Sequence, residues 1–338
     1  MIYDDGTLKV SVIIPMRNAV GTIQKCLLAM NRQTLRPHEV IIIDNDSSDE
    51  SLELVQNMAN DLIDINLRIG FEEKRGPAAA RNAGIALSEG EILAFTDSDC
   101  IPEPDWIEKI VQHFKQDVAL DVLGGVEKHT PHAISTIGKL MSISWLPHAV
   151  ESIMVSKEGF FSGQVVPTFN AAARRRTVLD AGGFDSTFKL AGEDADLWFR
   201  AFDQGARISV WASDVVVAHK QEISLPTLLR KMFRYGEAEA HLMRRHFSRY
   251  FVIRWLRGCN YSVPFPLGTI VIYSILNIFL LFISLFGLLV ADILSLRLFS
   301  GICIAGFLAF NVITRRRLIA AGYNVSLSEV GLCSLYHV

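Results

Sequence analysis

Three short runs of apolar, mostly β-branched residues, at residues 10–14, 40–43 and 92–95, constrain this chain more than any other feature. None alternates apolar with polar, so each must be buried on both faces, and helical patterns separate them. Strands of that kind, joined through helices, build a parallel sheet covered on both sides. The expected fold class is therefore α/β, with a mainly parallel, Rossmann-like sheet and flanking helices. A chain of 338 residues that is 50% hydrophobic can supply such a core.

Each run stops abruptly in polar residues. The first is closed by Pro15 and leads past Arg17 and Asn18 into a helical pattern with Ile23, Leu27, Leu28 and Met30 on one face. The second ends in Asp44-Asn45-Asp46-Ser47-Ser48-Asp49, which is rich in turn formers and caps for a helix over residues 50–60. A weaker strand is expected at residues 63–69. Gly76-Pro77 then opens a helix, with Pro near its first position. The third run delivers Thr96-Asp97-Ser98-Asp99, two carboxylates one residue apart, and Pro102 and Pro104 signal a turn there. Carboxylates brought together by a turn suit Mg²⁺ or Mn²⁺, hard cations that take oxygen ligands and are commonly shared with phosphates. The alternative is a solvated Asx turn. Parallel sheets bind ligands at the carboxyl ends of their strands, where Arg17, Asp44, Asp97 and Asp99 all fall. Neither G-x-G-x-x-G after the first strand nor G-x-x-x-x-G-K-[ST] anywhere is present, so a glycine-rich phosphate loop is excluded.

Six ordered motifs carry a resemblance: residues 10–15 with Asn18; residues 43–49; residues 76–84, containing Ala80-Arg81-Asn82-Ala83-Gly84; the Asp-Ser-Asp; residues 170–175 with Gly182-Gly183-Phe184-Asp185; and Gly192-Glu193-Asp194-Ala195-Asp196-Leu197. Together they resemble a family 2 glycosyltransferase of the GT-A fold. The resemblance implies a nucleotide-diphosphate sugar donor, with Pro15, Arg17, Asn18, Asp44, Arg81 and Asp97 on the nucleotide and Asp99 holding the diphosphate through the metal. It also implies Asp194, beside Glu193, as the base that activates an acceptor, and His219 as a further metal ligand. Each residue has a plainer reading beside this. Asp44 could cap a helix, Arg81 could be a surface residue, and the acids at 193–194 could serve a helix dipole. His219 could be a structural strand-end histidine. Asp196 is expected to be solvated and indifferent to amidation. Residues 129–167 read as an irregular stretch that shapes the acceptor site.

Beyond His219 the composition changes. Residues 225–264 hold eight Arg or Lys against two Glu, with Leu228, Leu229, Met232, Leu242 and Phe247 at helical spacing among them. This pattern suits a helix lying on an anionic membrane surface, or one packed on the catalytic domain. Residues 258–291 carry no charge, and residues 267–291 are long enough to cross a bilayer. A second apolar run at residues 298–314 ends in Arg315-Arg316-Arg317. The basic flanks predict a hairpin with the catalytic part cytoplasmic, at the inner (plasma) membrane. The organisation expected is a catalytic domain at 1–222, basic interfacial helices at 223–264, two transmembrane helices at 265–317 and a tail at 318–338. The five cysteines show no zinc or disulfide spacing and read as reduced thiols.

The activity expected from all this is inverting transfer of one sugar to a lipid-linked or membrane-proximal acceptor, with membrane lipids and not nucleic acid as the larger partner. Two alternatives stay open: a processive polysaccharide synthase subunit, against which Phe251 stands where a Gln-x-x-Arg-Trp motif needs Gln, and a catalytically silent scaffold of the same fold.

Overall fold

The computed structural model describes residues 8–59, 62, 65–128, 152–154, 166–188, 191–219, 238, 241–242 and 244–246. The expected membrane hairpin at 265–317 and the tail at 318–338 lie outside the described residues. So does most of the basic block at 223–264. Among the described residues no helix is long and apolar enough to cross a membrane.

The elements run β1 (Val10–Met16), α1 (Ile23–Asn31), β2 (Glu39–Asp44), α2 (Ser51–Ala59), β3 (Leu67–Phe71), α3 (Pro77–Leu87), β4 (Ile92–Phe95) and β5 (Cys100–Pro102). They continue with α4 (Trp106–Gln116), β6 (Val122–Lys128), β7 (Ser152–Met154), β8 (Ala171–Arg174), α5 (Arg175–Asp180), α6 (Glu193–Asp203) and β9 (Ile208–His219). One sheet of nine strands takes the order β3-β2-β1-β4-β8-β6-β9-β5, and β7 pairs with β9.

Only half of this sheet is the parallel one expected. β1 pairs in parallel with β2 and β4, and β2 with β3. From β8 onward the sheet is mixed: β8 is antiparallel to β4 and β6, β9 is antiparallel to β5 and β7, and β6 alone runs parallel to β9. The reason the sequence misled is that an unalternating run reports burial on two faces and says nothing about direction. β8 is as buried as β1 and still runs the other way. The third strand also begins later than expected, at Leu67. It is the sheet edge, with Phe71 58% exposed, which accounts for its weak signal. Within the stretch read as irregular, Ser152–Met154 is a strand.

Alternate residues of one strand feed two cores. Val10, Val12, Ile14 and Met16 of β1 pack with α1 and α4, through Leu27, Met30, Trp106 and Phe114. Ile13 packs with Leu93, Phe95, Leu197 and Trp198 on the other face. Helix α3 sits so close to the sheet that a Cβ on Gly84 would lie 2.5 Å from Ile13 Cγ2. That approach brings Arg81, one turn earlier, to the sheet as well.

Candidate active site

The strand order reverses between β1 and β4, and the crevice at that switch point is the natural ligand site of an open α/β sheet. Pro15 marks it. A proline in a central strand normally costs a ladder hydrogen bond, but β4 pairs with β1 only as far as Ile13, so Pro15 lies past the end of the pairing and needs no donor there. Arg17 and Asn18 follow it and are exposed. Asn18 takes the left-handed conformation, φ 51°. Its side-chain oxygen accepts from Ser48 N at 2.8 Å, and its own N–H donates to Ser47 Oγ, so it ties the loop after β1 to the loop after β2.

Asp44 ends β2 and is 2% exposed. One carboxylate oxygen accepts from Ser47 N at 3.3 Å; the other is buried with its bonding capacity unmet. The capping bonds at the start of α2 come instead from Asp49, which accepts from both Ser51 N and Ser51 Oγ. A residue that sequence reasoning passed over, Asn45, holds the adjoining loop: its amide donates to Glu72 O and Lys74 O, and its oxygen accepts from Gly76 N. Nothing but the turn-forming character of Asn distinguished it beforehand.

Arg81 is neither exposed nor free. It is 3% exposed, and its guanidinium donates to Glu193 Oε1 at 2.7 Å and to Asp97 Oδ1 at 2.8 Å. Burial works against its charge, but the Asp97 and Glu193 carboxylates outweigh that and raise its pKa further. Removing either partner of a buried pair typically costs about 3–5 kcal/mol, because the other charge is stranded. Arg81 thus joins Asp97, just past the end of β4, to Glu193, which opens α6. Asp97 and Asp99 part company here. The chain turns between them, with Cys100 N donating to Asp97 O at 3.0 Å, and Asp99 Oδ2 lies 3.2 Å from His219 Nε2.

Antiparallel pairing places Cys100 opposite His219, which is why residues 120 positions apart meet. A bulge in β6 and β9 around Gly125 aims the end of β9. A Cβ there would lie 2.2 Å from Val215 O. Asn170 pins the bulge, its amide donating to Val126 O and Val215 O while its oxygen accepts from Trp106 Nε1. His219 stacks on Phe169, and Glu127 approaches its Nδ1 at 3.7 Å. Burial pulls the His219 pKa down, but the bond and charge of Asp99 overcome this and raise it; Asp99 is lowered in turn against its own burial.

Asp99, Cys100 and His219 each offer a ligand atom, all within 4.8 Å of one another. The 3.2 Å between Asp99 and His219 is close to the roughly 3 Å expected between neighbouring ligands of one octahedral ion with bonds of about 2.1 Å. The donor set therefore fits a divalent cation. Cys100 is the weaker partner: burial raises its thiol pKa, with the Asp97 and Asp99 charges adding to this, and a thiol is a poor ligand for a hard cation. Among the described residues, Cys26 and Cys100 are free thiols.

Asp194 is partly buried at the start of α6, where its Oδ1 accepts from Ala195 N at 2.8 Å. Burial first, and the Glu193 charge second, push its carboxyl up to about 7. Glu193 is ion-paired to Arg81 through Oε1, so of the two acids Asp194 is the one whose raised pKa suits a base. Asp196 contradicts its expected solvation. It is 0% exposed and bound to Arg200, Arg245 and His246. Helical spacing alone could not reveal this, since two of its partners belong to a segment some 50 residues along.

Unmet bonding capacity gathers at this end of the sheet. Of the buried side-chain atoms without a hydrogen-bond partner among the described residues, Asp44 Oδ1, Arg81 Nε, Thr96 Oγ1, Glu193 Oε2 and His219 Nδ1 all belong to it. At the opposite, amino end, the buried Glu39 is fully engaged by Ser11, Glu89 N and Arg68. A cluster left unsatisfied is where a polar ligand belongs.

A family model described as glycosyl transferase family 2 matches residues 11–178. Glycosyltransferase AglE of Haloferax volcanii is 34% identical over 233 residues, which is 68% of this chain and 72% of that protein. A dolichyl N-acetyl-alpha-D-glucosaminyl phosphate 3-beta-D-2,3-diacetamido-2,3-dideoxy-beta-D-glucuronosyltransferase of Methanococcus voltae is 25% identical over 293 residues, 84% of this chain and 86% of that one. Another relative is longer: the chain spans 48% of its length at 30% identity. Among solved structures, the mannosyltransferase PcManGT of Pyrobaculum calidifontis, in complex with GDP-Man and Mn²⁺, has a TM-score of 0.54 at 21% identity, with 70% of this chain and 64% of that one covered. At that identity the likeness is one of fold.

Proposed function

The chain belongs to glycosyl transferase family 2, and from that premise we propose that it is an inverting enzyme that moves one sugar from a nucleotide-diphosphate sugar to a lipid-linked or membrane-proximal acceptor. The observation that carries the reading is Arg81, whose single guanidinium spans Asp97 and Glu193 and so sets donor-side and acceptor-side carboxylates in one charged chain with Asp194 at its end. Asp44, with one buried oxygen unmet, accepts an N–H from the base, and Pro15, Arg17, Asn18 and Asp97 line the nucleotide. Asp99 and His219 would hold Mg²⁺ or Mn²⁺, which supplies positive charge to the diphosphate. Asp194 takes the proton of the acceptor hydroxyl, whose oxygen bonds to the anomeric carbon from the face opposite the departing nucleoside diphosphate. PcManGT, of like fold, is in complex with GDP-Man and Mn²⁺, which supports a donor and cation of this kind. The dolichyl-linked name of the Methanococcus voltae relative supports the acceptor class.

A base held near 7 is protonated and idle in acid. Turnover should therefore climb with pH through about 7 and level off above it, falling roughly tenfold per unit well below. The measurement is sugar release from UDP-glucose and GDP-mannose with Mn²⁺ between pH 5.5 and 8.5. A flat profile, or one that falls through neutrality, is incompatible with Asp194 as base.

The apolar residues 265–317 carry a second part of the reading: a two-helix membrane anchor with the catalytic domain at the cytoplasmic face of the inner membrane. In intact cells, a cysteine introduced within residues 292–297 should react with an impermeant maleimide, and one introduced at Asp4 should not. Labelling at Asp4 would reverse the orientation.

A further inference from the structure

We propose that His241, Leu242, Arg245 and His246, in the basic segment beyond β9, clamp the first turn of α6, and that Asp196 is the positioning residue through which this clamp holds Asp194 in place; the inference rests on Asp194 being the base proposed above. Two guanidinium groups and an imidazole converge on Asp196. Arg200, one turn along, binds Oδ2 through Nε at 2.8 Å and Nη2 at 2.7 Å, while His246 Nε2 at 2.8 Å and Arg245 Nε at 3.2 Å reach Oδ1. Arg245 also pairs with Asp185, on the loop before α6. Burial pushes the Asp196 carboxyl pKa up, but the bonds from His246 and Arg200 bring it below the ordinary range.

The same short segment covers the joint from which α6 starts. Gly192, at φ +86°, is left-handed, a conformation in which glycine is at ease and other residues are strained. A Cβ there would meet Leu242 Cδ1 and Phe188 Cδ1 at 3.2 Å and Ala238 Cβ at 3.3 Å, and Leu242 is itself buried in the core that contains Leu197 and Trp198. The His241 ring stands edge-on to Phe188 at 4.5 Å, and the His246 ring to Phe199 at 5.1 Å. Asp194 therefore lies in sequence between two anchored carboxylates. Glu193 is tied to Arg81 on helix α3, and Asp196 to the segment beyond β9. A carboxylate doing only dipole service would stay solvated, because taking a charge out of water is unfavourable unless it is paired. Here two of the three partners, Arg245 and His246, are drawn from about 50 residues along the chain. A base must hold its geometry to within a fraction of an ångström to be effective, and this is the contact that fixes its helix turn.

Hydrogen exchange on the full-length chain tests the clamp. The Asp196 amide, bonded to Gly192 O at 3.0 Å, is the reporter. In Arg245→Ala, and separately in His246→Gln, which keeps the side chain's reach, amides 194–197 should exchange about tenfold faster or more. Amides of β1, β2 and β4 should be unchanged, and Arg245→Lys should retain most of the protection. Turnover of UDP-glucose or GDP-mannose should fall about tenfold with the donor KM held. Unchanged protection at 194–197 in both variants would overturn the clamp. So would protection lost equally across β1, β2 and β4, which marks a general packing contact. Exchange is read without substrate, so the clamp fails on those amides alone, whereas the base assignment fails on the rate of Asp194→Asn.

Discussion

Asp194→Asn should lower single-turnover sugar transfer by about 10² to 10⁴ while leaving nucleotide-sugar affinity nearly intact. The amide keeps the shape of the carboxylate and loses its basicity, and a group that touches only the acceptor hydroxyl acts in the transition state. Its neighbours behave differently, and the structure says how. Glu193→Gln strips the negative charge from a buried pair with Arg81, so rate and donor affinity should drop together, and the rate by less than in Asp194→Asn. Asp196 cannot be the indifferent control its position in the helix suggests, because it is buried against Arg200, Arg245 and His246. Glu53, exposed on α2, serves instead. Transfer at the wild-type rate by Asp194→Asn, or failure because the donor no longer binds, would remove Asp194 as the base.

Asp99→Ala should abolish the part of nucleotide-sugar binding that depends on a divalent cation. Without that carboxylate the cation loses an oxygen ligand, and the diphosphate loses the charge that bridges it to the protein. Calorimetric titration of UDP-glucose and GDP-mannose, with and without Mn²⁺, reads this directly. The variant should bind with the weak, cation-independent affinity that the wild type shows after chelation. His219→Gln separates a ligand from a strand-end structural residue: a ligand shifts Mn²⁺ affinity, and a structural histidine shifts only the unfolding midpoint. Donor affinity in Asp99→Ala that is as high as wild type, with the same Mn²⁺ dependence, would locate the cation elsewhere.

Much of the donor side was legible because it is written in local code. The run 92–95 reads as a strand and is one; Pro77 reads as the start of a helix and sits there. A strand end is punctuated by the residues that end it, so Asp44, Asp97 and Asp99 could be assigned to the carboxyl edge from the chain alone. Strand direction could not be, nor could the bulge at Gly125 that aims His219. Those depend on how residues such as Asn170 and Val215 meet across the sheet.

Which residues stand at the carboxyl ends of buried strands can be read along the chain, because burial periodicity and turn chemistry act over a few residues. Which of them join depends on the packing of distant segments. Arg81 reaches Glu193 across 112 positions and Asp99 meets His219 across 120. Asp196 is buried by a segment 50 residues beyond it. A charged residue looks the same in sequence whether water or a distant partner will neutralise it. Sheet order and the return of the chain beyond β9 settle which of the two it meets, and pairing within a low-dielectric interior is what turns these scattered charges into one connected site.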